Sequence, residues 1–193
     1  MKNIVLFASG AGSNAENIAL FFKNRPGVKV SYILSNRSDA GVLQRAKKLN
    51  IKTKVFDKEM FFHSDKVLYF LKELSPDLIV LAGFLWLVPQ KIVEAFPGRI
   101  INIHPALLPK YGGKGMYGRH VHRAVIENGE KESGITIHYV NDKYDDGDII
   151  FQARCPVLEG DTPETLAERV HRLEYEHYPR VIARILEKRQ SPG

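Results

Sequence analysis

Lys2-Asn3-Ile4-Val5-Leu6-Phe7-Ala8-Ser9-Gly10-Ala11-Gly12-Ser13-Asn14-Ala15-Glu16 decides the class of fold. Ile4 to Ala8 is apolar without interruption, as expected of a strand buried on both faces of a parallel sheet. Gly10 and Gly12 then turn the chain into a segment with helical spacing, expected over residues 14–23. Strand, glycine turn and helix in that order open a βαβ unit.

The same alternation continues downstream. Strands are expected at residues 28–34, 52–56, 77–82 and 99–103, and helices at 40–49, 64–74 and 89–96. Val67, Leu68, Leu71 and Leu74 share a face of the second of those helices. Pro89 stands where a first-turn proline is tolerated. After residue 130 the pattern changes. Residues 134–140 alternate Ile135, Ile137 and Tyr139 against Thr136, His138 and Val140. Residues 148–156 form another extended run, antiparallel to the first across Asp145-Asp146-Gly147. Thr162-Pro163-Glu164 supplies an N-cap, a first-turn proline and an early acid. The last helix places Leu166, Val170, Leu173 and His177 on one side, and Pro179 is expected to kink or break it. The expectation is therefore an α/β, Rossmann-like fold: a mostly parallel twisted sheet with antiparallel C-terminal strands and a long C-terminal helix. One domain is expected over residues 1–188, followed by a frayed tail at 189–193.

Bulk properties narrow the function classes. The chain has 193 residues, enough for one sizeable domain, with ordinary hydrophobic (44%) and charged (26%) content. Its net charge of +6 is scattered and contains no basic block, which favours attraction of small anionic substrates over nucleic-acid binding. A lone cysteine, Cys155, excludes an internal disulfide and fits a reducing, cytoplasmic setting. The apolar run after Met1-Lys2 is too short for a signal peptide, and no stretch reaches membrane-spanning length.

Two segments carry chemistry. The first is the glycine loop itself. Ser13 to Glu16 reads as a capping box, while the amides of a helix start reached through glycines form a site for phosphate. The loop also fits a G-x-G-x-x-A dinucleotide fingerprint. Ser35-Asn36-Arg37 replaces the ribose-binding acid that fingerprint requires, leaving Arg37 as a possible partner for a 2′-phosphate. The second segment is Ile101-Asn102-Ile103-His104-Pro105. Asn102 and His104 alternate onto one side of a strand end, where an amide and an imidazole can hold an oxyanion and move a proton. That pair points to chemistry on a carbonyl.

Further stretches bear on His104. Leu81 to Val88 leaves a strand at the sheet edge where ligands of open α/β sheets bind, and its apolar residues suit a flat heterocycle. The acidic loop 141–148 fails as a calcium loop at Tyr144 and Ala153, but either Asp145 or Asp146 can supply a carboxylate that favours imidazolium. His120 and His122 alternate as metal ligands sometimes do, without a carboxylate or Cys to complete a set. Residues 111–118 imitate a phosphate loop but lack its G-K-[ST] ending, and read as a mobile flap.

Taken together, Ser9 to Asn14, Leu81-Ala82-Gly83-Phe84, Asn102 to Pro109 and Tyr144-Asp145-Asp146-Gly147 occur in an order that resembles the phosphoribosylglycinamide formyltransferases, the folate-dependent transformylases of purine synthesis. The resemblance runs from Lys2 to about Leu186. It implies a formyltransferase fold and transfer of a formyl group from 10-formyltetrahydrofolate, as co-substrate, to the amine of 5-phosphoribosylglycinamide. It also implies catalytic roles for Asn102, His104 and Asp145. Gly12, Ser13, Asn14, His171 and Glu174 would bind the ribonucleotide. Leu85, Trp86, Leu87, Val88, Asn102, Val140 and Asp145 would bind the folate. It implies no metal, no nucleic acid and no membrane, and a monomer or weak homodimer. Related tRNA formyltransferases and formyl hydrolases are expected to carry an added domain. Two departures stand out: Trp86 replaces an Arg common in the family, and Lys114 to Gly118 reads as a five-residue insertion, which leaves the correspondence of His120 open.

Overall fold

A computed structural model describes residues 1–189, so the tail expected at 189–193 lies, past Arg189, outside the described residues. Its strands are β1 (Lys2–Phe7), β2 (Val28–Ser35), β3 (Lys52–Val55), β4 (Leu78–Leu81), β5 (Ile100–His104), β6 (Glu132–Tyr139) and β7 (Ile149–Pro156). Its helices are α1 (Ser13–Lys23), α2 (Gly41–Lys48), α3 (Lys66–Leu74), α4 (Gln90–Ala95), α5 (Arg119–Glu127) and α6 (Pro163–Lys188). The strands form one seven-stranded sheet in the order β3-β2-β1-β4-β5-β6-β7. β1 through β5 pair in parallel, while β5–β6 and β6–β7 are antiparallel.

The continuous apolar runs are the middle of this sheet. Ile4, Val5 and Leu6 of β1 and every residue of β4 are buried. Their side chains divide between two cores, one on each face. Ile4, Leu6, Leu78 and Val80 pack under α1, α2 and α6, and Val5, Phe7, Ile79 and Leu81 pack under α3 and α4. The alternation of successive side chains across the pleat explains that division.

Three local expectations are corrected. Ser13 and Glu16 do not form a capping box: Gly12 is the N-cap, and no side chain caps α1. Glu16 is instead held by Arg45 of α2. Residues 59–63 form a short π-helical turn ahead of α3, where the expected helix began at 64. Pro179 lies inside α6, which runs through it unbroken. A proline at that place deprives the Tyr175 carbonyl of its helical donor, and the Asn17 side-chain amide of α1 donates to that carbonyl at 3.0 Å instead.

Candidate active site

From β1 the chain crosses to β2 and β3 on one side, and from β3 it returns to β4 on the other side of β1; such a reversal opens a crevice at the carboxyl ends of the strands. A cavity of about 800 Å³ lies there, walled by the loops after β1, β4 and β5, the β6–β7 loop and the start of α6.

At its one end stands the glycine loop. Gly12 adopts a left-handed conformation, φ 76°, that places α1 directly after the turn. A Cβ there would lie 2.3 Å from Val42 of α2, so both the backbone and the packing demand glycine. The first intrahelical bond runs from the Glu16 amide to the Gly12 carbonyl. With no side-chain cap, the start of α1 keeps free amides, and Gly12, Ser13 and Asn14 there line the cavity, where the helix dipole favours an anion. Arg37 lies on the surface, bound to Asp39 through two hydrogen bonds, and does not line this cavity.

Next to it lies a buried carboxylate. α6 buries Leu166, Val170, Glu174 and Tyr178 at four-residue steps, so Glu174 occupies the apolar stripe. The expected stripe through Leu173 and His177 is displaced by one residue, and both are only half-buried. Glu174 accepts from Asn14 at 2.8 Å and from His171 at 2.9 Å, and this hydrogen bond raises the His171 pKa. The Tyr178 hydroxyl donates to the Leu81 carbonyl, tying α6 to the end of β4.

At the centre are Asn102 and His104. His104 is 3% exposed; its Nε2 donates to the Tyr111 carbonyl at 2.7 Å, and its Nδ1 lies 3.5 Å from Asp145. Asp145, not Asp146, reaches the histidine: Asp146 pairs with Asn141 outside the cavity. Asp145 sits at φ 52° and also accepts from the Gly113 amide at 3.0 Å, which ties the β6–β7 loop to the flap. Gly147 makes that loop possible, since a Cβ there would lie 1.7 Å from the Tyr139 carbonyl.

Sequence reasoning missed His138. In the β5–β6 ladder it stands opposite Asn102, and its Nδ1 donates to the Tyr139 carbonyl at 2.9 Å. Nε2 is therefore the acceptor for the Asn102 amide at 3.2 Å, an assignment made from the hydrogen-bond network. Burial lowers the His138 pKa and keeps the ring neutral, which suits an acceptor. The one available signal was antiparallel pairing, which places a residue of one strand against a candidate site residue of its neighbour.

The opposite wall is apolar. Leu85, Trp86, Leu87 and Val88 line the cavity, joined by Val140 from beyond β6. Trp86 rests on Phe56, Phe61 and Phe62 with ring centroids 5.5–6.1 Å apart. The Leu85 amide donates to Ser9 Oγ at 3.0 Å, linking this wall to the glycine loop. Gly113 to Gly118 cover one side of the cavity, and Arg119 at the end of this flap pairs with Glu164 in the first turn of α6. His120 is exposed on α5, edge-on to Tyr117, whereas His122 is buried and lines the cavity. Among the described residues no group of His, Cys, Asp and Glu is placed to hold a metal ion, and no helix is long and apolar enough to cross a membrane.

Known proteins resemble this chain in sequence and fold. Residues 2–182 match the model of the formyl transferase family. The chain is 41% identical to the chloroplastic phosphoribosylglycinamide formyltransferase of Arabidopsis thaliana, over 97% of this chain and 66% of that protein's length. It is 39% identical to the phosphoribosylglycinamide formyltransferase of Haemophilus influenzae, over 94% of this chain and 86% of its relative. Among solved structures, the phosphoribosylglycinamide formyltransferase of Anaplasma phagocytophilum superposes with a TM-score of 0.88 at 35% identity, covering 97% of this chain and 88% of that one.

Proposed function

This chain belongs to the formyl transferase family, and from that premise we propose that it moves a formyl group from 10-formyltetrahydrofolate to the amine of 5-phosphoribosylglycinamide in purine biosynthesis. One observation carries the reading. A single cavity holds an uncapped helix start, a buried carboxylate, the Asn102–His104–Asp145 cluster and a flat apolar wall, in contiguous lining.

Each part answers a part of the two substrates. The amides at Gly12, Ser13 and Asn14 take the phosphate. Glu174, with His171 beside it, accepts from ribose hydroxyls. The wall from Leu85 to Val88, with Val140, takes the flat pterin ring, whose edge finds backbone polar groups. Holding both substrates in one cleft supplies the proximity that a direct transfer needs.

At the reacting carbon, attack by the amine forms the new C–N bond and places negative charge on the formyl oxygen; collapse of this adduct breaks the bond to the folate nitrogen, which leaves with the proton that the amine gives up. The Asn102 amide donates its second N–H to that oxygen, and His104 joins it by exchanging the Tyr111 carbonyl for the oxygen as acceptor of its Nε2–H; such a donor contributes roughly 3–4 kcal/mol of transition-state stabilisation. Asp145, 3.5 Å from His104 Nδ1, orients the ring. His138 holds the Asn102 amide in place from the other side.

The deciding experiment is a formyl-transfer assay with glycinamide ribonucleotide against alternative amines. Transfer restricted to the ribonucleotide is expected. Formate released without ribonucleotide, at a rate matching the full reaction, sinks the proposal in favour of a hydrolase.

A further inference from the structure

We propose that His122 is a substrate-binding residue of this site, accepting a hydrogen bond from the sugar or amine portion of the phosphorylated amine, between the phosphate loop and the reacting carbon. The inference rests on the reading of the ribonucleotide as substrate and deepens it.

His122 lies on the inner face of α5 with Val121 and Val125, 2% exposed, and lines the cavity. Its Nδ1 is buried and has no hydrogen-bond partner. Buried polar atoms are rarely left so, and on a ring whose residue lines a cavity such an orphan marks a side chain that can turn to meet a donor supplied by a ligand. A second orphan sits nearby in the same cavity. The Asn14 side chain gives its amide to Glu174, and its Oδ1 is buried without a donor.

The surroundings identify the ligand's chemistry. The titratable groups that influence His122 are His171 and Glu174 of α6 and His104 of β5. Desolvation by burial, with the neighbouring histidines, pushes its pKa down to about 4, so the ring is neutral near pH 7 and has an acceptor nitrogen to offer. Asn14 Oδ1 and the Glu174 carboxylate are acceptors as well. Three such residues lining one cavity with a helix start call for a ligand that carries an anion and several N–H or O–H donors, which describes a phosphorylated sugar bearing an amine. The metal reading of the His120–His122 pair fails on the same geometry, because His120 is exposed on a different side of α5 and does not line the cavity.

The test compares His122→Phe and His122→Asn with the wild-type enzyme, by calorimetric titration of glycinamide ribonucleotide, by steady-state kinetics and by thermal unfolding. His122→Phe is expected to weaken ribonucleotide binding about ten-fold, the loss of one hydrogen bond to a group left unpaired. The KM for the folate is expected to stay within about two-fold, and His122→Asn to recover part of the affinity through its side-chain amide. Thermal stability of His122→Phe is expected to hold or rise, because an unpaired buried polar atom has been removed. Unchanged ribonucleotide affinity in both variants overturns the proposal. So does a fall in stability accompanied by equal weakening for both substrates, the mark of a purely structural residue. A wild-type enzyme that does not bind the ribonucleotide at all overturns the functional reading and this inference with it, a result distinct from equal binding by wild type and variants.

Discussion

Residues in this site act through pairs that chain order hides. Asn102 and His104 were legible because strand alternation puts them together, but their partners come from β6 and the loop beyond it. The choice between Asp145 and Asp146 illustrates the limit. Adjacent acids on a polar turn are equivalent in composition, and only the left-handed backbone at Asp145 and the tight approach at Gly147 turn one toward His104. That difference yields a three-way prediction. His104→Ala and Asp145→Asn are expected to lower kcat by about a hundred-fold or more, the usual range for a positioned acid–base group. Asp146→Asn is expected to stay within about two-fold, since its carboxylate meets Asn141 on the surface. Ribonucleotide affinity, measured by titration, is expected to survive in all three. Equal damage from Asp145→Asn and Asp146→Asn would remove the distinction drawn here.

Elements hold the site by bonds that replace missing helical ones. α6 reaches across the back of the cavity because it continues through Pro179, and the carbonyl freed at Tyr175 is taken by Asn17. Periodicity and a proline rule applied to α6 alone predicted a break, because the compensating donor lies on α1, 158 residues away in sequence. The bond makes the two positions energetically coupled. Asn17→Ala is expected to cost about 1 kcal/mol in the native background and close to nothing when Pro179→Ala restores the backbone donor. Urea unfolding of the double-mutant cycle measures that coupling, and full additivity would refute it. The start of the same helix has a different anchor. Asp161 accepts from Arg169 at 2.7 and 3.0 Å, from the Leu158 amide and from Thr165. The Arg169 hydrogen bond holds the Asp161 carboxyl far below the usual range. A carboxylate with a depressed folded pKa stabilises above its unfolded pKa and loses that contribution as pH falls through the folded value. Asp161→Asn is therefore expected to destabilise the enzyme by about 2 kcal/mol at neutral pH and less as the solution is acidified.

For the whole molecule, alternating strands and helices announced the parallel half of the sheet, and the change after residue 130 announced its antiparallel edge. The cavity at the switch point was legible too, because open sheets bind there. What the alternation hides is how many ionisable side chains the fold gathers at one place. Buried histidines from β5, α5 and β6 meet around the cavity, although they stand in three separate segments of the sequence. Their collective presence gives the fold a particular acid sensitivity. His122 is held at about 4 in the folded state against 6.5 for the free side chain. The unfolded chain thus binds more protons between those values, so stability must rise with pH from about 4 to 6.5 and fall on acidification. At 1.36 kcal/mol per unit, this one residue accounts for up to about 3 kcal/mol across the window. His138, also depressed by burial, acts in the same direction. His171, raised by its bond to Glu174, acts oppositely: its contribution is complete below the unfolded pKa and is lost as pH rises through the folded one. Comparing unfolding free energies of wild type and His122→Phe from pH 4 to 7 isolates the first effect. The variant's advantage is expected to be small at pH 7 and to widen steadily toward pH 4. Parallel curves over that range would mean that His122 is not held neutral by the fold, and the acid sensitivity would then belong to the carboxylates.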